Sequence, residues 1–208
     1  MRHFDDKELQ THPGLLGIRG TGWFLSPTSV VTVEHVAAAM NLSVQDWKQI
    51  EIGSEDNTQP AFVRIQRLAG ANREKIAVLE LQAPFSGAQG LQLRMEAFVP
   101  EEPVVSLAYP HSHLRVVGGR FVQYGDGERL AGTALLEMYD GEDRLVLDHG
   151  ASGAPVFDCT GRVGAVVSNL FTTTIQFMSA VTRVSTAWGS PNVVSVPVPV
   201  LQEVSRAE

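Results

Sequence analysis

The sequence predicts an all-β protein built from two packed antiparallel β-barrels of six strands each. Short valine-rich runs recur along the 208 residues, and 19 glycines and 11 prolines separate them in the way that tight turns separate strands. Helix-forming composition is confined to an alanine-rich stretch at 34–40 and a short segment at the C-terminal end. Two sets of about six strands fit two closed barrels better than one open sheet.

The first barrel is expected over residues 15–96, after an N-terminal tail at 1–14 that shows no hydrophobic period. Its first strand is expected in two halves around a glycine-rich bend at 20–22, because glycine lets the backbone turn sharply. The other elements expected in this half are polar loops at 53–60 and 70–74 and strands at 30–33, 47–52, 61–68 and 76–81.

The second barrel is expected over residues 97–208, after a crossing segment at 91–99. A short C-terminal helix is expected to close the chain. The strands expected in this half are at 103–110, 114–124, 132–139, 145–147, 163–170, 175–184 and 193–201.

Composition and charge exclude several classes of function. A formal charge of −7 argues against nucleic-acid binding, which needs a cationic surface. No apolar run approaches the roughly 20 residues that cross a bilayer, and the first residues lack the apolar core of a secretion signal. The single cysteine, Cys159, excludes an internal disulfide and favours a reducing, cytoplasmic location. Cys159 itself is expected to be a buried, inert thiol.

A serine between two glycines is the strongest chemical signal in the chain. Ser152 lies in Gly-Ala-Ser-Gly-Ala-Pro-Val, residues 150–156, ahead of an apolar strand. A serine hydroxyl becomes a nucleophile when a base removes its proton and N–H donors stabilise the oxyanion that forms. Gly150 and Gly153 permit consecutive N–H groups to face one point. Without a base, the same motif is more typical of a turn between two strands.

His35 is the best-placed candidate base, because it directly follows an expected strand and opens the alanine-rich stretch. His149 is so close to Ser152 in sequence that it is expected to form a wall of the site rather than to face the hydroxyl. His111 and His113 have a spacing that metal ligands use, but no nearby cysteine or carboxylate completes a set. The sequence therefore predicts neither a metal nor a cofactor.

Three stretches together resemble the trypsin/chymotrypsin family, in its bacterial branch without disulfides. Residues 20–25 and 30–36 are similar to the strand-turn-strand that leads to the catalytic histidine of that family. Residues 150–156 resemble its Gly-Asp/Asn-Ser-Gly-Gly-Pro-Val motif, with alanine at two positions. Residues 166–169 resemble the strand that lines its substrate cleft. The similarity runs from about residue 15 to 202.

The resemblance implies a chymotrypsin-like double β-barrel and a serine endopeptidase that hydrolyses peptide bonds through an acyl-enzyme. His35 would take the proton from Ser152 and later donate it to the leaving amine. The N–H groups of Gly150 and Ser152 would form the oxyanion hole. The histidine belongs to one barrel and the serine to the other, so the site would form where the two meet.

The third member of the family's triad has no direct counterpart. The family places an aspartate ahead of Ile-Ala-Val-Leu, whereas residues 73–79 read Arg-Glu-Lys-Ile-Ala-Val-Leu. Lys75 therefore takes the place of the aspartate, and a lysine cannot accept the imidazole N–H. Three readings stay open. Glu74 reaches His35 through a β-bulge, the chain works as a slow Ser-His dyad, or an inactive fold serves as a peptide- or protein-binding module.

The resemblance also implies where a polypeptide substrate lies. Ser168, Asn169 and Leu170 would begin the strand that pairs with it, and Leu170 would narrow the pocket. The stretch at 146–147, near the expected pocket floor, carries no carboxylate and favours a small or apolar residue before the scissile bond. Because no pro-segment is evident, activation is expected from a partner protein or domain that orders the serine loop.

Overall fold

The computed structural model of the chain describes residues 2–3, 18–54, 57–70, 74–110, 113–139, 147, 150–170, 172–177, 180–185 and 190–197. Within these ranges the strands pair in antiparallel ladders, and the helices are short. No helix in this described part of the chain is long and apolar enough to span a bilayer.

The first half forms one seven-stranded sheet with the strand order β2-β1-β5-β6-β7-β4-β3. A helix of six residues, α1 (Glu34–Ala39), follows directly after β4, as the alanine-rich stretch predicts. The strands are β1 (Arg2–His3), β2 (Ile18–Arg19), β3 (Trp23–Ser26), β4 (Ser29–Val33), β5 (Lys48–Ser54), β6 (Asn57–Ala69) and β7 (Ile76–Leu81).

The bend at 20–22 divides one strand between the two edges of this sheet. β2 pairs with β1 at one edge, and β3 pairs with β4 at the other. Only four Cα–Cα steps connect Arg19 to Trp23, so the edges lie within about 14 Å and the sheet must curl. The described strands do not close it through hydrogen bonds, so a complete six-stranded barrel in this half is not confirmed. The residues at 2–3, expected in a tail, pair here as β1.

The polar loop predicted at 53–60 is instead a long hairpin. β5 and β6 pair continuously from Lys48 and Val63 to Ser54 and Asn57. Pro60 lies in this stretch without breaking it. Its missing N–H is tolerated because β6 pairs with β7 only from Val63 onward, which leaves that side of Pro60 without a ladder partner.

The second half contains a closed barrel of six strands, as predicted, in the order β10-β15-β12-β11-β8-β9. A short helix, α2 (Gly127–Leu130), precedes β10. The strands of this half are β8 (Pro103–Ala108), β9 (Arg115–Tyr124), β10 (Ala134–Tyr139), β11 (Pro155–Phe157), β12 (Val163–Leu170), β13 (Thr172–Phe177), β14 (Ala180–Ser185) and β15 (Val193–Pro197).

The single strand predicted at 175–184 is wrong, because the chain reverses between Phe177 and Ala180. β13 and β14 pair with each other over six residue pairs, apart from the barrel. No glycine or proline marks the reversal, and these are the residues by which sequence analysis recognises hairpins. The strand predicted at 145–147, except for the buried Leu147, and the C-terminal helix lie outside the described residues.

Two hydrophobic cores position the halves. One fills the closed barrel, and the other lies under the first sheet and also receives Val163, Val166 and Val196 from the barrel. Because the second core takes side chains from both halves, packing holds the barrel against the first sheet. Every residue of β4 is buried, which anchors the strand that ends at α1.

Asp158 fills the turn between β11 and β12. Its carboxylate accepts hydrogen bonds from the N–H groups of Thr160 at 2.8 Å and Arg162 at 3.0 Å. Burial raises the pKa of Asp158, but the hydrogen bonds from Thr160 and Arg162 and the Arg162 charge outweigh it and lower the pKa to about 2. Cys159 lies in the same turn and is exposed, so the expectation of a buried thiol is wrong.

Candidate active site

His35 is the second residue of α1 and is exposed. The helix is anchored by the buried Val36 and by a hydrogen bond from the Glu34 N–H to the Lys75 carbonyl at 2.9 Å. Gly20 packs so closely on this helix that a Cβ would lie 2.5 Å from the Val36 side chain. These contacts fix α1, and with it His35, against the start of β7 and the bend at 20–22.

Glu74 directs its carboxylate toward the strand that follows the serine loop. The Ser168 hydroxyl donates a hydrogen bond to it, and the Asn169 amide lies 3.2 and 3.3 Å from its two oxygens. The charge of Glu74 also acts on His35, whose pKa it raises. The structure therefore brings Glu74, Ser168 and Asn169 together, whereas no hydrogen bond or ion pair among the described residues joins His35 to Glu74 or to Ser152.

The net pKa of His35 is nevertheless lowered. Although the residue as a whole is exposed, protein atoms around the imidazole displace part of its hydration, and this desolvation is the largest cause of the lowered pKa. The carboxylates of Glu74 and Glu34 only partly offset it. A histidine with a lowered pKa is neutral near pH 7, which is the form that accepts a proton from a hydroxyl.

Lys75 is turned to a different partner. Its ammonium lies 3.8 Å from the Glu34 carboxylate, and both side chains are about one-third exposed. Glu74 and Lys75 precede β7, so the alternation of strand faces does not govern them. The β-bulge considered for this position is not found within β7, whose pairing with β4 is regular from Val33–Ile76 to Ser29–Glu80.

The serine loop runs from Gly150 to Ala154 and has two glycines with positive φ angles, 100° at Gly150 and 93° at Gly153. The Gly153 N–H donates to the Val167 carbonyl at 2.8 Å, and the Ala154 N–H donates back to the Ala151 carbonyl at 3.0 Å. Among the described groups, none accepts a hydrogen bond from the N–H of Gly150 or Ser152. Within the described part of the chain, these two N–H groups on either side of Ala151 therefore have no hydrogen-bond acceptor.

Ser168 contacts both the candidate nucleophile and the candidate acid. The Ser152 hydroxyl donates to the Ser168 carbonyl at 3.0 Å, while the Ser168 hydroxyl donates to Glu74. The pairing of β12 with β15 shifts register between Val167 and Asn169, so Ser168 lies at a β-bulge. A bulge re-aims the groups of one residue, which is how a single residue reaches two others here.

Thr21 is a site residue to which sequence analysis assigns no role. Its N–H donates to the Ser152 carbonyl at 2.9 Å, and its hydroxyl donates to the Gly150 carbonyl at 2.6 Å. Its own carbonyl accepts a hydrogen bond from the Thr32 hydroxyl at 2.8 Å. The available signal was a threonine between two glycines, paired with a second threonine inside an otherwise valine-rich strand.

For most of the remaining candidate residues, the side chain lies outside the described part of the structure. Leu170 ends β12, and its side chain is not among those described. The described residues contain no group of three or more His, Cys, Asp or Glu side chains that could hold a metal. His149, His111 and residue 146 of the expected pocket floor lie outside the described ranges.

Solved structures of several proteases share this fold. The active form of the Rv3671c protease from M. tuberculosis is 17% identical, with a TM-score of 0.57 over 88% of this chain and 70% of that one. A serine endoprotease from Yersinia pestis is 14% identical, with a TM-score of 0.58 over 93% and 59%. The HtrA-type protease AlgW, solved with a decapeptide, is 14% identical, with a TM-score of 0.60 over 90% and 50%. The chain thus spans about half of AlgW, and at these identities the likeness concerns the fold.

Sequence comparison gives the family. No curated protein matches the chain. The profile of the trypsin-like peptidase domain matches residues 20–166, which include α1, Glu74 and the serine loop. The chain therefore belongs to the trypsin-like peptidase family.

Proposed function

We propose that this protein is a serine endopeptidase in which Ser152 is the nucleophile, His35 the general base and Glu74 the acidic member of the triad. The observation that carries the proposal is the position of the Glu74 carboxylate. It is hydrogen-bonded to Ser168, whose carbonyl contacts Ser152, and its charge raises the pKa of His35. A negative charge that raises the pKa of the histidine stabilises the imidazolium formed during the reaction.

The proposed reaction has two halves. Ser152 Oγ attacks the scissile carbonyl carbon as His35 takes the hydroxyl proton, and the N–H groups of Gly150 and Ser152 stabilise the oxyanion. The C–N bond then breaks as His35 returns the proton to the leaving amine, which leaves an acyl group on Ser152. Water attacks this ester with His35 again acting as base, and release of the acid restores the serine hydroxyl.

The polypeptide substrate is proposed to pair with β12. On one side of this strand, pairing with β11 ends at Val166, whereas on the other side β15 continues to Leu170. Residues 168–170 therefore have a free edge among the described strands, as addition of a peptide strand requires. The AlgW structure, which was solved with a decapeptide, supports a polypeptide ligand for this fold.

A second candidate function is peptide or protein binding without cleavage. The observation that favours it is that the Ser152 hydroxyl donates to the Ser168 carbonyl, so that its proton is directed to a main-chain acceptor. An attacking serine must instead give this proton to a base. In the protease proposal, a bound peptide or a partner that orders the serine loop releases the hydroxyl from this contact.

An active-site fluorophosphonate probe tests the two candidates, because it reacts only with an activated serine. The chain, Ser152→Ala and His35→Gln are incubated with the probe, and the adduct is located by peptide mass spectrometry. The protease proposal expects an adduct on Ser152 that both substitutions abolish, and cleavage of an unfolded protein that falls by at least about 10³-fold in either variant. Absence of any Ser152 adduct, with retained binding of extended peptides, would favour the binding module.

A further inference from the structure

Thr21 belongs to the first half of the molecule but is bonded to the serine loop of the second half at two places. Only 3% of its surface is exposed. Its two acceptors, the carbonyls of Gly150 and Ser152, belong to the peptide groups on either side of the Ala151–Ser152 peptide. Because Thr21 holds the Gly150–Ala151 and Ser152–Gly153 peptide groups, it restricts rotation of the Ala151–Ser152 peptide group between them, which carries the Ser152 N–H.

The direction of the Thr21 hydroxyl is set by its surroundings. The Tyr109 N–H donates to the Thr21 oxygen at 3.1 Å, which leaves the hydroxyl proton for the Gly150 carbonyl at 2.6 Å. A threonine hydroxyl has one proton to donate, and both its donor and acceptor functions are used here. The Thr21 hydroxyl therefore acts as a donor toward position 150, and the group that faces it there must be the Gly150 carbonyl and not an N–H group.

Thr32 extends this link to the histidine. Its hydroxyl donates to the Thr21 carbonyl, and Thr32 is fully buried in β4, three residues before His35. Two hydroxyl hydrogen bonds thus connect β4, the strand that leads directly into the helix of the candidate base, to the loop that carries the candidate nucleophile. The two hydrogen bonds therefore help to set the position of the serine loop relative to the helix that carries His35.

Shape alone does not require threonine at position 21. Valine has nearly the same shape, and a buried hydroxyl is tolerated only when it is hydrogen-bonded. The loop is also seated closely on this residue, since a Cβ on Gly153 would lie 2.1 Å from the Thr21 carbonyl oxygen. What threonine adds over valine at position 21 is the pair of hydrogen bonds that its hydroxyl makes with Gly150 and Tyr109.

We infer that Thr21 is the positioning residue of the serine loop, whose hydroxyl holds the Gly150–Ala151 peptide in the orientation in which the N–H groups of Gly150 and Ser152 are free to act together. Its effect on turnover rests on the proposed peptidase function. Its effect on the order of the loop does not, and the two are measured separately.

The experiment compares Thr21→Val, which removes the hydroxyl, with Thr21→Ser, which keeps it. Thr133→Val is the matched control, because Thr133 is equally buried and its hydroxyl donates to the Leu130 carbonyl at the same 2.6 Å, on the loop between α2 and β10. For each folded variant the measurements are kcat and KM, the rate of fluorophosphonate labelling, amide hydrogen exchange of the serine loop and the melting temperature.

We expect Thr21→Val to lower kcat and the labelling rate by about 10- to 100-fold with KM nearly unchanged, somewhat less than removal of an oxyanion donor itself. The Gly153 and Ala154 amides should exchange at least about 10-fold faster. Thr21→Ser should stay within about threefold of the unmodified chain. Thr133→Val should lower the melting temperature without changing kcat.

Three outcomes would overturn the inference. The first is an active chain in which Thr21→Val and Thr133→Val have the same kcat. The second is a Thr21→Ser variant as impaired as Thr21→Val, which would point to packing. The third is unchanged exchange at Gly153 and Ala154 in Thr21→Val. If the unmodified chain is neither labelled nor active, the peptidase function fails, and hydrogen exchange alone decides the role of Thr21.

Discussion

Lys75 pairs with Glu34 across 3.8 Å, although it occupies the sequence position where trypsin-like proteases place their aspartate. Its neighbour Glu74 contacts Ser168 and Asn169 instead. Two adjacent side chains thus have different partners, one along α1 and one across to β12. The lysine is accommodated by an acidic residue at position 34, and the negative charge of Glu74 acts on His35 by raising its pKa.

The acid is tested first. Glu74→Gln removes the negative charge with little change of shape and should lower kcat by about 10²- to 10⁴-fold, because the imidazolium loses its stabilising carboxylate. Lys75→Asp should not increase activity, since Lys75 is engaged with Glu34. Steady-state kinetics on one peptide substrate measures both, with Glu80→Gln, whose carboxylate pairs with Arg64, as control. A large gain from Lys75→Asp together with an unchanged rate for Glu74→Gln would remove Glu74 from the site.

The pH dependence follows from the pKa of His35. Burial lowers this pKa below the ordinary value, so the neutral base persists below pH 6.5 and the acid limb of kcat/KM should lie on the acid side of that value. Glu74 raises the pKa, because its negative charge favours the imidazolium. Glu74→Gln should therefore move the His35 titration to still lower pH.

Proton–nitrogen NMR of the imidazole measures this titration without relying on catalysis. Glu34→Gln should shift it in the same direction by a smaller amount, because Glu34 is the lesser of the two coulombic contributions. A His35 titration that moves to higher pH in Glu74→Gln would contradict the geometry described here.

The close seating of the serine loop is tested with a pair of glycines. Gly153 and Gly161 both have positive φ angles, 93° and 81°, so alanine at either position costs about 1 kcal/mol or more in backbone strain. At Gly161 the added Cβ meets nothing within 4 Å, whereas at Gly153 it would lie 2.1 Å from the Thr21 carbonyl oxygen. Gly153→Ala should therefore be the more destabilising in urea unfolding and should abolish labelling of Ser152. Equal unfolding free energies for the two variants would count against tight seating.

Asp158 should make the protein sensitive to acid. Its pKa is about 2 in the folded chain, below the ordinary 3.8, so the unfolded state binds the proton more readily. The resulting stabilisation, about 2 kcal/mol, is present above pH 4 and is lost as the pH falls toward 2. Asp158→Asn should lower the unfolding free energy at pH 7 and flatten its decline below pH 4, as followed by urea titrations. The same substitution at the exposed Asp126 is the control, and an equal flattening there would contradict this role.

The sequence shows which residue types are available to the site but not how they meet. The motifs around His35 and Ser152 can be recognised because the serine lies in a glycine-rich loop and the histidine directly follows a valine-rich strand. Whether Glu74 or Lys75 faces the site is not readable, because both precede β7 and the two-residue period of a strand does not apply to them. Thr21 is missed for a related reason, since its acceptor at Gly150 is 129 positions away.

For the fold, too, some elements could be predicted from the sequence and others could not. The closed barrel of the second half follows from its alternating and valine-rich runs, and α1 follows from alanines after a buried strand. The long hairpin of β5 and β6 is missed because polar residues and Pro60 imitate a loop, while the actual ladder places that proline where its N–H is not needed. The β13–β14 reversal is missed because residues 177–180, Phe-Met-Ser-Ala, contain no glycine, proline or asparagine to signal a turn.

The bend at 20–22 also has a consequence for the order of folding. β3 and β4 are joined by a short turn and can pair as soon as they are made, whereas Arg2 pairs with Glu51, 49 positions along the chain. Loop-closure entropy makes such a distant contact slow to form. We expect the seam at β1 and β2 to assemble last and to exchange its amide hydrogens first. Thr21, two residues past the end of β2, would then be held by the serine loop before its own sheet is complete.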